Sequence, residues 1–215
     1  MNADNSTQHT TQQAPRTQPK IPRTIWVLVG AAFIIALGYG LIAPVLPQFA
    51  GSFGVSMAAA GAVISIFAFA RLIGAPGAGR LVDRLGSRPI YLTGLLIVAA
   101  STFFVAFAQA YWQILALRFI AGFGSTMFTL SAQALIVRVT HPSIRGRANA
   151  LYASAFLVGN VVGPIIGAAL SFLGFRAPFV IYGIAVAGAA VAVGALTQPK
   201  PGSEPLPAAK PKMRV

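Results

Sequence analysis

The chain has no cysteine, which excludes disulfides and thiolate metal sites. Its two histidines, His9 and His141, fall outside the long apolar runs and are too few to fill a buried metal shell. Acid is almost missing: Asp4, Asp83 and Glu204 are its three carboxylates, against sixteen lysines and arginines. Only 9% of the residues are charged, where a soluble domain has about a quarter. So few charges cannot cover a water-facing sphere, so the solvent must be lipid. The net charge of +13 raises a nucleic-acid reading, but the basic residues sit in short loops and tails and no groove-reading motif accompanies them. No Walker A sequence or Asn-Pro-Ala channel motif is present. No apolar run contains a histidine and Asp83 stands alone, which removes the Ser–His and paired-Asp sites of intramembrane proteases. The composition therefore points away from an enzyme and implies no cofactor and no metal.

What remains is apolar: 56% of the residues are hydrophobic. A bilayer core of about 30 Å needs about 20 apolar residues in a helix. Six segments qualify, at approximately 25–46, 58–79, 90–109, 112–137, 148–173 and 177–196. Backbone groups in lipid must pair within their own segment, so each is helical. The expected fold class is an all-α membrane protein, a six-transmembrane-helix bundle over 25–196. Polar, Gln/Thr-rich residues 1–24 lack the features of a signal peptide and read as a disordered tail. Residues 197–215, with five prolines and four basic residues, read as a second disordered tail.

Charge placement orients the bundle. The N-terminal tail carries Arg16, Lys20 and Arg23, the second loop Arg80, Arg84 and Arg88, the fourth Arg138, Arg145 and Arg147. The C-terminal tail carries Lys200, Lys210, Lys212 and Arg214; the first and third loops carry none, and the fifth only Arg176. Basic loops are cytoplasmic, so both termini are expected in the cytoplasm of a cell (plasma or inner) membrane protein. Tyr111 and Trp112 fit an outer aromatic belt.

The stretch Gly79 to Arg88 holds the only acid between Asp4 and Glu204. Gly79, Asp83, Arg84, Gly86 and Arg88 resemble the loop between spans two and three of the major facilitator superfamily, Gly-x-x-x-Asp-Arg/Lys-x-Gly-x-Arg/Lys. The trailing basic pair is absent, replaced by Pro89 and Ile90. Leu115, Arg118, Gly122 and Gly124 resemble the fourth-span motif, with Ala121 where a glutamine is common. Gly159, Gly163, Pro164 and Gly167 resemble the fifth-span motif of its drug-efflux, proton-antiporter branch, with Ala168 for the last glycine. The segment Gly40 to Pro47 is similar to the first span of twelve-span efflux members. The resemblance covers 25–196 and corresponds to the N-terminal six-span half of a twelve-span carrier.

The resemblance implies that Asp83 helps to lock a cytoplasmic gate against a helix end of the other half. The alternative is that Asp83 only pairs with Arg80 or Arg84 and aids insertion. Gly79 and Gly86 would allow close helix approach and positive φ. Arg118, Gly122, Ser125, Thr129 and Gln133 recur at three to four residues and share one helix face. With Arg71 they are the cavity candidates; an arginine inside a span should face the protein interior or water, or snorkel. Gly159, Gly163 and Gly167 form a small-residue ridge with Pro164, and the resemblance turns this ridge toward the other half. Generic packing is the simpler alternative. Gly38-Tyr39-Gly40 resembles a potassium filter but lies inside a continuous span, where small residues for packing are the simpler reading.

The expected function is transmembrane transport of a small molecule, as efflux of amphipathic or apolar compounds by alternating access. The expected partners are the lipid bilayer, a small-molecule substrate, and a homodimer mate or a separate C-terminal six-span half, with no nucleic acid. The alternative is a truncated or accessory membrane protein that does not transport by itself. Proton exchange needs an embedded carboxylate or histidine. These spans have neither, so coupling comes from another chain, or the protein is a uniporter or no transporter.

Overall fold

The computed structural model describes residues 21–197, and the expectations for 1–20 and 198–215 lie outside the described residues. Six helices are long and apolar enough to cross a bilayer: α1 (Arg23–Gly51), α2 (Met57–Leu85), α3 (Ser87–Val105), α4 (Tyr111–Val139), α5 (Arg145–Leu170) and α6 (Ala177–Leu196). No strand occurs among the described residues. The protein is an all-α, multi-pass membrane bundle.

Several helices outrun the expected spans, for identifiable reasons. α1 passes Pro44 and Pro47 and ends at Gly51 rather than Leu46. α2 continues through Gly79 and Asp83 to Leu85, because no residue between Arg80 and Leu85 breaks a helix. Gly86, at φ +88°, then ends it, and α3 begins at once with Ser87. Gly79, Asp83 and Arg84 are therefore helical residues, and only the turn at Gly86 is loop. α3 stops at Val105 rather than Gln109. α4 starts at Tyr111, where the Gln113 side-chain oxygen accepts from the backbone N–H groups of Gln109 (2.7 Å) and Ala110 (3.3 Å). α5 gives way to a 3₁₀ turn at Ser171–Leu173.

α1 lies at the centre and packs against α5, α6 and α2; α3 joins α4 to α6, and α2 rests on α4. The α1–α5 contact is a backbone seam. A Cβ on Gly159 would stand 2.7 Å from the Phe33 carbonyl oxygen, and one on Gly163 2.3 Å from that of Leu37. One on Gly167 would stand 2.9 Å from that of Leu41. Without hydrophobic drive between helices in lipid, such closeness is what associates them. The glycine ridge thus belongs to internal packing. The expectation that Gly159, Gly163 and Gly167 face the other half is corrected, because α1 already occupies that face. Pro164 is exposed beside the seam. Gly38 likewise seats the Tyr182 ring, whose hydroxyl donates to the Ile35 carbonyl at 3.1 Å, so packing explains this part of the Gly-Tyr-Gly run.

α5 is the barest span. Only 17% of its membrane window is buried, against 56% for α1, so it is held on one side. Leu157, Val161 and Ile165 repeat every four residues on its uncovered face.

Arg88 closes the end of the bundle that carries the α2–α3 turn. Its guanidinium donates to the Gly194 carbonyl at 2.7 Å and to the Thr197 hydroxyl at 3.2 Å, so it caps the C-terminus of α6. A cation there also meets the negative end of the helix dipole. Two of its nitrogens are thus engaged within the bundle, at the turn where the gating loop was expected.

Two outcomes follow from these contacts. Gly163→Leu should cost about 1–3 kcal/mol or more through overpacking of the seam. Gly30→Leu, where a Cβ meets nothing within 4 Å, should stay within about 0.5 kcal/mol. Thermal unfolding in mild detergent separates the two, and equal stability would contradict the seam. Arg88→Gln should lose about 1.5 kcal/mol of charged hydrogen bonding and speed amide exchange over 193–197 about tenfold. Asp83→Asn should leave that exchange unchanged.

Candidate functional site

Arg71 sits midway along α2, about 21 Å from either end at 1.5 Å per residue. Arg118 lies two turns into α4. Both flank the Phe67 ring: the Arg118 guanidinium carbon is 4.4 Å from its centroid and that of Arg71 5.9 Å. Arg118 is 7% exposed, and its Nε has no hydrogen-bond partner. A desolvated cation–π contact returns about 2 kcal/mol. An arginine at a helix centre, as Arg71 is, costs about 2.5–3.5 kcal/mol, so it must find water or protein.

Tyr39 of α1 ties this group to α4. Its ring meets Phe67 edge-on at 5.6 Å, and its hydroxyl shares a 2.7 Å hydrogen bond with that of Ser125. Thr129 donates to the Ser125 carbonyl at 2.7 Å, and Thr126 donates to the carbonyls of Gly122 (3.1 Å) and Arg71 (3.2 Å). Gly122 permits this approach of α4 to α2, since a Cβ there would stand 2.6 Å from the Phe67 carbonyl oxygen. Asn160 of α5 donates to the Phe156 carbonyl at 2.9 Å. Thr126, Thr129 and Asn160 thus bond to nearby carbonyls of the helices.

Two open chambers meet at Tyr39 and Asn160. One, of about 420 Å³, is lined by Arg71, Thr129, Gln133, Tyr152 and Phe156 among others. The other, of about 560 Å³, is lined by Arg118, Phe67, Ile64, Leu46, Pro44 and Pro164 among others. Both volumes suit a drug-sized ligand, and both linings are mainly apolar with a few convergent polar groups.

The structure brings the expected cavity residues together. Arg71, Thr129 and Gln133 line the first chamber and Arg118 the second, while Ser125 is buried behind them holding Tyr39. The α2–α3 residues lie elsewhere. Asp83 and Arg84 are exposed, and among the described residues Asp83 makes no hydrogen bond or ion pair. Its pairing with Arg80 or Arg84 is therefore not realised. Gly79 has nothing within 4 Å of a Cβ, so it serves no close approach inside this bundle. Gly163 and Gly167 stay in the seam; Pro164 reaches the second chamber.

Sequence reasoning missed Tyr39, Phe67, Tyr152, Phe156 and Asn160. Asn160 carried a signal: it is an uncharged amide in the apolar α5, one residue after Gly159. Tyr39 was visible between two glycines but was grouped with their packing role.

Known proteins agree with this bundle. Residues 28–214 match the family model described as Major Facilitator Superfamily. Multidrug resistance protein MdtG of Enterobacter lignolyticus (strain SCF1) is 34% identical over 194 residues, covering 88% of this chain and 46% of its own length. MdtG of Escherichia fergusonii is 34% identical over 167 residues, 75% of this chain and 41% of its own. The crystal structure of the human organic anion transporter MFSD10 (TETRAN) superposes with a TM-score of 0.70 at 23% identity, over 83% of this chain and 48% of that one. A peptide transporter POT in complex with sulfate gives 0.73 at 16% identity, over 86% and 39%. The chain spans less than half the length of these curated relatives. The matched model, the shared helical fold and the relatives together place the protein: the chain belongs to the major facilitator superfamily.

Proposed function

We propose that this six-helix unit is one half of an alternating-access carrier that exports small amphipathic or apolar compounds across the cell membrane. The observation that carries the reading is the pair of adjoining chambers, lined by cations, hydroxyls and aromatic rings, on an open side of the bundle. A second six-span unit, whichever polypeptide supplies it, closes that side. The bare face of α5 and the exposed Pro164 support this. The relatives named as multidrug resistance proteins support a drug-like substrate and are consistent with export. The basic residues support a cytoplasmic α2–α3 turn and cytoplasmic ends of the bundle.

In this reading Asp83, exposed and unpaired among the described residues, meets a helix N-terminus of the second unit when the cytoplasmic side closes. Such a contact is worth about 0.3–1 kcal/mol, enough to bias two conformations without trapping either. Gly79 leaves room for that neighbour. Arg88 takes no part, since it holds α6.

Uptake of a fluorescent amphipathic dye into inside-out vesicles from expressing cells tests the reading. Vesicles carrying the chain should accumulate dye above empty controls. Asp83→Asn should shift the inward-to-outward balance about two- to fivefold and slow uptake, with membrane insertion unchanged. Uptake no greater than in empty vesicles would remove the transport reading. Unchanged uptake with Asp83→Asn would remove the gate.

A further inference from the structure

We infer that the α5–α6 connection is a lipid-binding element, which seats the phosphate of an anionic phospholipid on Arg176 and lays its own apolar side chains in the same leaflet. The inference goes beyond the transport reading and does not depend on it. The connection reads Ser-Phe-Leu-Gly-Phe-Arg over 171–176. It leaves α5 through the 3₁₀ turn Ser171–Leu173 and reverses at Gly174, whose φ of +83° favours glycine. Phe172 (80%), Leu173 and Phe175 are all exposed. Three large apolar side chains bared on a short turn between two spans make a poor surface for water and a good one for the bilayer. The connection before α5, at the other end of the bundle, instead exposes His141, Pro142 and Ser143.

Arg176 ends the connection. It is the only lysine, arginine or histidine in the three connections at this end, over 52–56, 106–110 and 171–176. It is exposed, and its side chain makes no hydrogen bond or ion pair among the described residues. It borders a chamber of about 510 Å³ walled by Phe49, Phe53, Leu173 and Phe175 among others. The Ser52 hydroxyl in that wall already donates to the Phe49 carbonyl at 2.7 Å, which leaves the guanidinium as the free donor. The Phe49 ring meets Phe179 of α6 at 5.6 Å, so the chamber sits over the start of that helix, whose Ile181 and Ile184 are exposed. A guanidinium takes a phosphate through charge-assisted hydrogen bonds, and the aromatic walls suit the glycerol and the first methylenes of the acyl chains. An anionic headgroup, which has no ammonium to set beside the arginine, fits better than phosphatidylcholine. A soluble anion would leave Phe172, Leu173 and Phe175 in water.

The chain has no cysteine, so Phe172→Cys carries a single thiol-linked fluorophore. The full chain is reconstituted in phosphatidylcholine vesicles with a minor share of either phosphatidylglycerol or phosphatidylcholine brominated along the acyl chain, and quenching is read. Both lipids should quench, the brominated phosphatidylglycerol at a share about fivefold lower. Arg176→Gln should bring the two lipids level while keeping the quenching, and Arg147→Gln, at the other end of the bundle, should leave the preference unchanged. Equal quenching with Arg176 in place, or a preference that survives Arg176→Gln, overturns the headgroup assignment. A preference lost with Arg147→Gln reduces it to attraction by the whole chain's charge and overturns it too. A preference erased by added inorganic phosphate overturns the lipid source and makes Arg176 a free-phosphate site. No quenching by either lipid overturns the element altogether and leaves the turn to water or to a protein neighbour.

Discussion

The close backbone contact between α1 and α5 is the constraint on which the rest of the architecture depends. Gly159, Gly163 and Gly167 let α5 lie against α1 with no side chain between them. That single-sided attachment sets the angle from which Tyr152, Phe156 and Asn160 enter the cavity opposite Tyr39. It also leaves Leu157, Val161 and Ile165 uncovered. A helix held by its backbone on one side and bare on the other suits a unit that must be firm within itself and separable from its neighbour. In lipid the packing depends on fit rather than on water being expelled, so glycine spacing carries the energy that leucine would carry in a soluble core.

The second organising fact is charge without countercharge. Two arginines enter the spans, and the only acid in the described residues is at the far end of α2. The chain handles them differently. Arg71 lies midway along α2 and borders an open chamber, while Arg118 is buried and leans on Phe67. The cation–π contact holds the Arg118 side chain against Phe67 without neutralising it. Arg88, by contrast, holds the bundle by donating to the carbonyl end of α6. The enclosed Arg118 Nε, unlike the Arg88 donors, has no hydrogen-bond partner.

How much of this was legible in the sequence varied with the kind of signal. The six spans and the membrane class follow from run length and the scarcity of charge. The Arg118 stripe is a helical period, and three of its members, Arg118, Thr129 and Gln133, border the chambers, while Gly122 packs on α2 and Ser125 is buried. The glycine ridge was equally periodic, yet its partner was misjudged. Spacing names the face but not the neighbour, and a ridge of small residues suits an internal helix as well as an external one. Arg88 was grouped with a gating motif because loop arginines look alike; only its distance to Gly194, more than a hundred residues away, separates it. Tyr39 and Phe67 act through contacts across α1, α2 and α4, which no local pattern encodes. The extension of α2 through Asp83 was readable, since Arg80 to Leu85 contains no breaker, but the motif suggested a loop.

The central claim is that the open side of this bundle is covered by a second six-span unit and not by lipid. Val161 on α5 and Ile184 on α6 are equally exposed in the bundle, at 62% and 61%. Nitroxides placed by Val161→Cys and Ile184→Cys, in separate variants in native membranes, should differ in collision with dissolved oxygen, which is concentrated in lipid. The account predicts strong collision at position 184 and much weaker collision at position 161. Equal, lipid-like values at both positions would contradict it.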